Sequence, residues 1–177
     1  ANMAGMISHM DRSVGQVDAL LAELGLSENT LLIFTSDNGA DRYSIASPEF
    51  FKANAPLRDF KGTLYEGGLR IPMVARWPEK IAAGTVTDHQ CYFGDFMPTF
   101  AEMAGNSAGV PEDVDAISML PALTGGVQEE HDFLYWATGT GEQGRACRVG
   151  NWKAVWPARE EPVELYDLDT DIAEANN

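Results

Sequence analysis

The sequence is poor in positive charge: 12 lysines and arginines stand against 27 acidic residues in 177, a formal net charge of −15. A general nucleic-acid binder, or a protein held on anionic lipid, needs a cationic face to neutralise phosphates, so both classes are excluded. Long hydrophobic runs are missing as well. No stretch approaches the roughly 18 apolar residues of a membrane-spanning helix. Residues 1–13 lack the basic start and the unbroken apolar segment of a signal peptide. The expectation is no membrane partner and no export signal within these residues. Cysteine is nearly absent. Cys91 and Cys147 are too few for a disulfide framework and too far apart for a CxxC metal knuckle, and are expected as buried free thiols. Internal repeats and low-complexity tracts are not found either.

What is present is an ordinary globular balance, 45% hydrophobic and 22% charged, which supplies enough apolar material for one core. The acid is spread unevenly. Residues 1–110 hold 8 basic and 13 acidic groups, and residues 111–177 hold 4 and 14. The shift coincides with the turn-rich stretch Gly105-Asn106-Ser107-Ala108-Gly109-Val110-Pro111. This predicts an α/β portion over 1–110 and a small α+β C-terminal subdomain over 111–177.

Met3, Ile7, Met10, Val14, Val17, Leu21 and Leu24 recur at helical spacing and predict a helix over 3–24, closed by Gly25. Residues 30–36 form a continuous apolar, β-branched run, the pattern of a strand buried on both faces of a parallel sheet. Periodicity is then lost from Asp37 to about Gly68, a length that usually marks a functional or disordered segment. A second strand is expected over 71–77. A helix over 96–104 should be capped by Asp95, and a short one opened by Ser118 should run through Leu123. From residue 131 onward, short aromatic and β-branched segments at 133–136, 145–149, 152–156 and 164–167 predict a small antiparallel sheet. The polar tail, 169–177, is expected to fray.

Two features carry chemistry. Ser36-Asp37-Asn38-Gly39 follows directly on the first strand, and ligand sites in α/β sheets lie outside the carboxyl ends of strands. A carboxylate beside a carboxamide offers hard oxygen ligands for Ca²⁺ or Mg²⁺. The same three residues are also ordinary turn chemistry. The second feature is the segment 58–70, in which Arg58, Lys61 and Arg70 bring three of the twelve cations together among glycines. An acidic protein that handles an anion needs such a local cationic pocket, Lys giving a point contact and Arg a fork. Alternatively, Arg58 and Arg70 pair with Asp59 and Glu66 on a solvated loop.

These segments resemble the sulfatase family of the alkaline-phosphatase-like superfamily. The likeness rests on the helix Met6-Ile7-Ser8-His9-Met10-Asp11-Arg12, the run Asn29 to Gly39 ending in Ser-Asp-Asn-Gly, and the signature from Lys61 to Pro72. Asp95-Phe96-Met97-Pro98-Thr99, Gly150-Asn151-Trp152-Lys153 and Glu164-Leu165-Tyr166-Asp167-Leu168 extend it in the same order. The resemblance implies a partial alkaline-phosphatase-like fold, with a mixed or parallel sheet, flanking helices and a small C-terminal antiparallel sheet. It implies that Asp37 and Asn38 are ligands of a divalent metal, usually Ca²⁺. It makes Lys61 the residue that binds a sulfate ester, on a sulfated sugar or an aryl sulfate. Arg58 and Arg70 are weaker candidates for the same anion. Variable loops such as Tyr43 to Phe51 supply part of the pocket wall in this family, and the aromatics Tyr43, Phe50 and Phe51 could stack on a sugar or aryl group.

The family's nucleophile is a formylglycine made within a Cys/Ser-x-Pro/Ala-x-Arg motif, and neither cysteine nor any serine here stands in one. In this family the nucleophile, the Asp-Asp metal ligands and the catalytic histidines lie upstream of the segment that this chain resembles. His9, His89 and His131 are read as structural or surface residues. The expectation is a C-terminal portion of a sulfatase, inactive alone, its parent periplasmic or secreted. An unpaired sheet edge would favour self-association. A phosphodiesterase or phosphonate hydrolase of the same superfamily, and a non-catalytic metal- or partner-binding module, are the alternatives.

Overall fold

The computed structural model describes residues 2–43, 48–138 and 143–177. Part of the loop Tyr43 to Phe51, expected as a pocket wall, lies outside these residues. The helical stripe forms α1 (Asn2–Glu23), and Gly25 follows it in the left-handed conformation, φ +67°. The first strand, β1 (Leu32–Thr35), pairs with β2 (Met73–Arg76), which lies beyond the short helices α2 (Pro48–Phe51) and α3 (Glu66–Leu69). Next come α4 (Phe96–Met103), α5 (Leu120–Thr124) and four strands, β3 (Leu134–Ala137), β4 (Gln143–Val149), β5 (Trp152–Ala158) and β6 (Glu164–Asp167). The mixed α/β class is the one found, with the expected antiparallel sheet at the C-terminal end. One correction concerns β1: it is not sealed on both faces, since Phe34 is 39% exposed. The stripe on α1 is likewise only partly covered, and no residue of this helix is buried.

The chain divides into two compact units, one of residues 1–12, 34–74 and 132–177, the other of 13–33 and 75–131. In the first, β3 to β6 form a meander in which each strand pairs antiparallel with the next. Because side chains alternate along a strand, the register sets two rows on one face. Trp136, Ala146, Val155 and Glu164 make one row, and Leu134, Arg148, Lys153 and Tyr166 the other. Leu64, Tyr65, Ala146, Val155, Tyr166 and Leu168 form the buried cluster, with Trp136 and Ile172 packed against it.

The tail that was expected to fray is held instead. Glu174 is fully buried, Asp171 accepts the N–H groups of Ala175 and Asn176, and Asn177 accepts that of Leu165. Polarity suggested fraying, but each of these polar groups has a fixed partner.

In the second unit, Asp95 does not cap α4 with its side chain. Its carboxylate is wholly buried and accepts the N–H groups of Tyr92 (3.0 Å) and Ile117 (2.9 Å), while His131 Nε2 lies 3.0 and 3.1 Å from its two oxygens. Thr99 donates to the Asp95 carbonyl and accepts from Met119 N, joining α4 to the segment before α5. His131 is thereby tied to a buried carboxylate. The short helix expected from Ser118 begins at Leu120, whose N–H the Ser118 hydroxyl accepts at 3.3 Å. Both cysteines are free and half-buried rather than buried, and burial pushes the Cys91 thiol up, with Asp95 adding to the effect.

Candidate functional site

Ser36 to Gly39 leave the end of β1 as a bend. The Ser36 hydroxyl donates to the Asn38 carbonyl at 2.9 Å, and Asn38 Nδ2 donates to the Gly39 carbonyl at 3.1 Å. With its nitrogen so occupied, the Asn38 amide has its oxygen end available as a ligand. Asp37 is exposed at the tip. The same four residues thus form a turn that presents two oxygen-bearing side chains, Asp37 and Asn38.

The second motif is fastened to the first through the backbone. Gly39 N donates to the Gly68 carbonyl and Lys61 N to the Ala40 carbonyl, each at 3.0 Å. The approach is so close that a Cβ on Gly39 would meet the Gly67 carbonyl oxygen at 1.8 Å, and one on Gly67 would meet the carbonyl oxygens of Asp59 and Arg58 at 2.2 and 2.3 Å. Only hydrogen fits at these positions, which is the physical reason for glycine in both motifs. Asn54 completes the clasp. Its Oδ1 accepts from Ala40 N at 3.2 Å, and its Nδ2 donates to the carbonyls of Asp59 (2.7 Å) and Gly67 (3.1 Å). Sequence reasoning does not find Asn54, since one asparagine in an aperiodic segment gives no signal.

Lys61 is exposed, and no pairing ties up its ammonium among the described residues. The two arginines differ from it. Arg58 does not pair with Asp59. Its Nη1 donates to Tyr166 Oη at 2.8 Å and to the Glu174 carbonyl at 3.0 Å, and its guanidinium lies 3.7 Å from the centre of the Tyr65 ring. Burial works against its charge, but the Tyr166 hydrogen bond, Tyr65 and Glu164 outweigh burial and raise the guanidinium above its ordinary value. Asp59 pairs with Arg42 instead, at 3.0 Å. Arg70 does pair with Glu66, one helical turn away. Of the three cations, Lys61 is the one without an ion pair among the described residues.

No group of three or more His, Cys, Asp or Glu side chains that could hold a metal ion occurs among the described residues. Asp37 and Asn38 fit a hard divalent cation as two donors of the six to eight that such an ion takes.

The family model described as Sulfatase matches residues 1–106, and the one described as N-sulphoglucosamine sulphohydrolase, C-terminal, matches residues 59–177. Steryl-sulfatase of Mus musculus is 38% identical over 157 residues, covering 86% of this chain and 24% of its own length. N-acetylgalactosamine-6-sulfatase of Canis lupus familiaris is 35% identical over 148 residues, covering 84% and 27%. The crystal structure of Ps i-CgsB in complex with k-i-k-neocarrahexaose superposes with a TM-score of 0.84 at 32% identity, covering 98% of this chain and 38% of that one. The chain spans about a quarter of the length of these curated relatives.

Proposed function

Since the chain belongs to the sulfatase family, we propose that it forms the C-terminal part of an enzyme that hydrolyses sulfate esters, contributing two oxygen ligands for a divalent cation and one sulfate-binding ammonium. The observation that carries this reading is the clasp of Gly39 on Gly68 and Lys61 on Ala40, which keeps the Asp37-Asn38 turn and the Lys61 segment together.

Asp37 and the Asn38 oxygen would hold the cation; these hard oxygens suit Ca²⁺ or Mg²⁺, and the family resemblance favours Ca²⁺. Such an ion, when bound, supplies charge stabilisation to the sulfate oxygens. Lys61 meets the bridging side of the ester and offsets the negative charge that develops on the leaving oxygen. Arg58 and Arg70, held by Tyr166 and Glu66, contribute positive potential rather than direct contacts. A nucleophile is not among these residues, so the chain alone performs no turnover. The substrate class is a sulfate ester, on a sulfated sugar or an aryl group; the relatives' names include both a steryl-sulfatase and an N-acetylgalactosamine-6-sulfatase.

The test is turnover of a chromogenic aryl sulfate and of a sulfated N-acetylhexosamine, with and without Ca²⁺. The 177-residue chain is expected to release no sulfate. A full-length sulfatase ending in these residues is expected to release it, and to act poorly on the matching phosphate esters. Metal-dependent turnover by the isolated chain, or a preference for phosphate in the full-length enzyme, would overturn the reading.

A further inference from the structure

Glu66 lies in the same segment as Lys61, but its carboxylate is 4% exposed and fully engaged. Lys153 Nζ stands 2.8 Å from Oε1, Arg70 Nε bonds Oε2, and Arg148 Nη1 is 4.0 Å from Oε2. Lys153 has no solvent exposure, although it comes from β5, a strand of otherwise apolar inward positions. Its ammonium also reaches Glu174 Oε1 at 2.8 Å. Glu174 is fully buried in its turn, and its Oε2 accepts the backbone N–H of Glu66 at 2.6 Å.

Glu174 thereby touches the Lys61 segment on both sides. Its carboxylate holds Glu66, five residues beyond Lys61, and its carbonyl takes the Arg58 guanidinium, three residues before it. Its backbone is left-handed, φ +51°, a conformation that non-glycine residues seldom adopt and that the surroundings must enforce. A buried carboxylate with a charged partner and an amide donor is costly to place and strongly fixed once placed. We propose that residues 171–177 are a strap, and that Glu174 and Lys153 are positioning residues that set the conformation of the Lys61 segment. The catalytic consequence rests on the sulfate-binding role assigned to Lys61; the strap itself does not.

The charge states agree with this arrangement. Burial pushes the Glu66 carboxyl up, but Lys153 and Arg70 outweigh it and hold the group below its ordinary value. Burial dominates at Glu174 and leaves it raised, despite Lys153.

Amide hydrogen exchange of the ¹⁵N-labelled 177-residue chain, followed by NMR, tests the strap. In Glu174→Gln and Lys153→Met the amides of Lys61, Glu66 and Gly67 should exchange at least about tenfold faster relative to those of β4 and β5, the loss expected for a hydrogen bond to a charged group. Asp169→Asn, on an exposed neighbour in the tail, should match the parent chain. Unchanged exchange at Glu66 and Gly67 would overturn the strap. So would an equal acceleration of the strand amides, which would make the network a general stabiliser. Steady-state kinetics of Lys61→Ala in a full-length sulfatase ending in these residues decide the catalytic reading separately.

Discussion

Gly39 and Gly67 meet backbone against backbone, the first donating its N–H to the carbonyl of the neighbouring Gly68 and leaving no room for a Cβ. The contact joins two motifs that are well separated in sequence. Gly39→Ala must push the strand-end turn away from the Lys61 segment, because the obstructing atom is a carbonyl oxygen rather than a movable side chain. Urea denaturation should show a loss of about 3 kcal/mol, at the upper end for overpacking. A loss below about 0.5 kcal/mol, the range of an ordinary surface change, would mean that the two backbones part easily.

Asn54 supplies three hydrogen bonds to the same clasp, one accepted and two donated. Asn54→Asp keeps the acceptor for Ala40 and turns both donors into an acceptor that faces the carbonyls of Asp59 and Gly67. The substitution is isosteric but brings a negative charge, so its effect reads the loss of the two donors together with the repulsion between a carboxylate and the two carbonyls. Chemical denaturation is expected to report about 2 kcal/mol of destabilisation. An Asn54→Asp variant as stable as the parent would show that the carbonyls are satisfied some other way.

The two buried carboxylates should leave opposite marks on the acid side of the stability profile. Glu66 is depressed when folded, so its contribution is present above the ordinary value of 4.5 and is lost as pH falls through its lower folded value. Glu174 is raised when folded, so the folded state takes up its proton first, and stability contributed by this group rises as pH falls from neutrality toward 4.5. Melting temperatures measured between pH 3 and 7 should therefore show a smaller acid loss in Glu66→Gln than in the parent. Glu174→Gln should lack the gain on mild acidification. Slopes that change in the same direction in both variants would contradict the assignment.

The exposed stripe of α1, with Ile7, Met10 and Val17 each 48% exposed, lies on a chain whose first sheet has two strands among the described residues. A second copy of the chain is the expected cover for this apolar surface in solution. Light scattering behind size exclusion should give a mass above the 19.3 kDa of one chain, and Ile7→Lys with Val17→Lys should return it to that value. A monodisperse parent at 19.3 kDa would end this expectation.

Periodic elements are readable in the sequence because their cause is local. The 3–4 spacing from Met3 to Leu24 gives α1, and the short aromatic segments after residue 131 give the meander. What escapes is decided by partners distant in sequence. Lys153 and Val155 alternate with Trp152, Ala154 and Trp156, and nothing in that alternation tells that the lysine side faces inward. It does so because Glu66 and Glu174 await it there, 87 and 21 positions away. The tail reads as fraying for the same reason, its charge being visible and its partners not. Asp95 has the form of a helix cap, yet its carboxylate serves Ile117 and His131, which lie well downstream. At the candidate site the sequence singles out Asp37, Asn38 and Lys61 as candidates, whereas it gives no sign of the clasp that Asn54 closes.

Lys61 as the residue that meets sulfate is the central claim. Its most direct test is the steady-state kinetics of Lys61→Ala and Lys61→Arg in a full-length sulfatase ending in these residues, with folding checked by circular dichroism. The expected result is that Lys61→Ala lowers kcat/KM for a sulfate ester by about a hundredfold or more, the usual cost of removing a group that stabilises developing charge, and that Lys61→Arg recovers part of it. A kcat/KM unchanged in Lys61→Ala would contradict the sulfate-binding role.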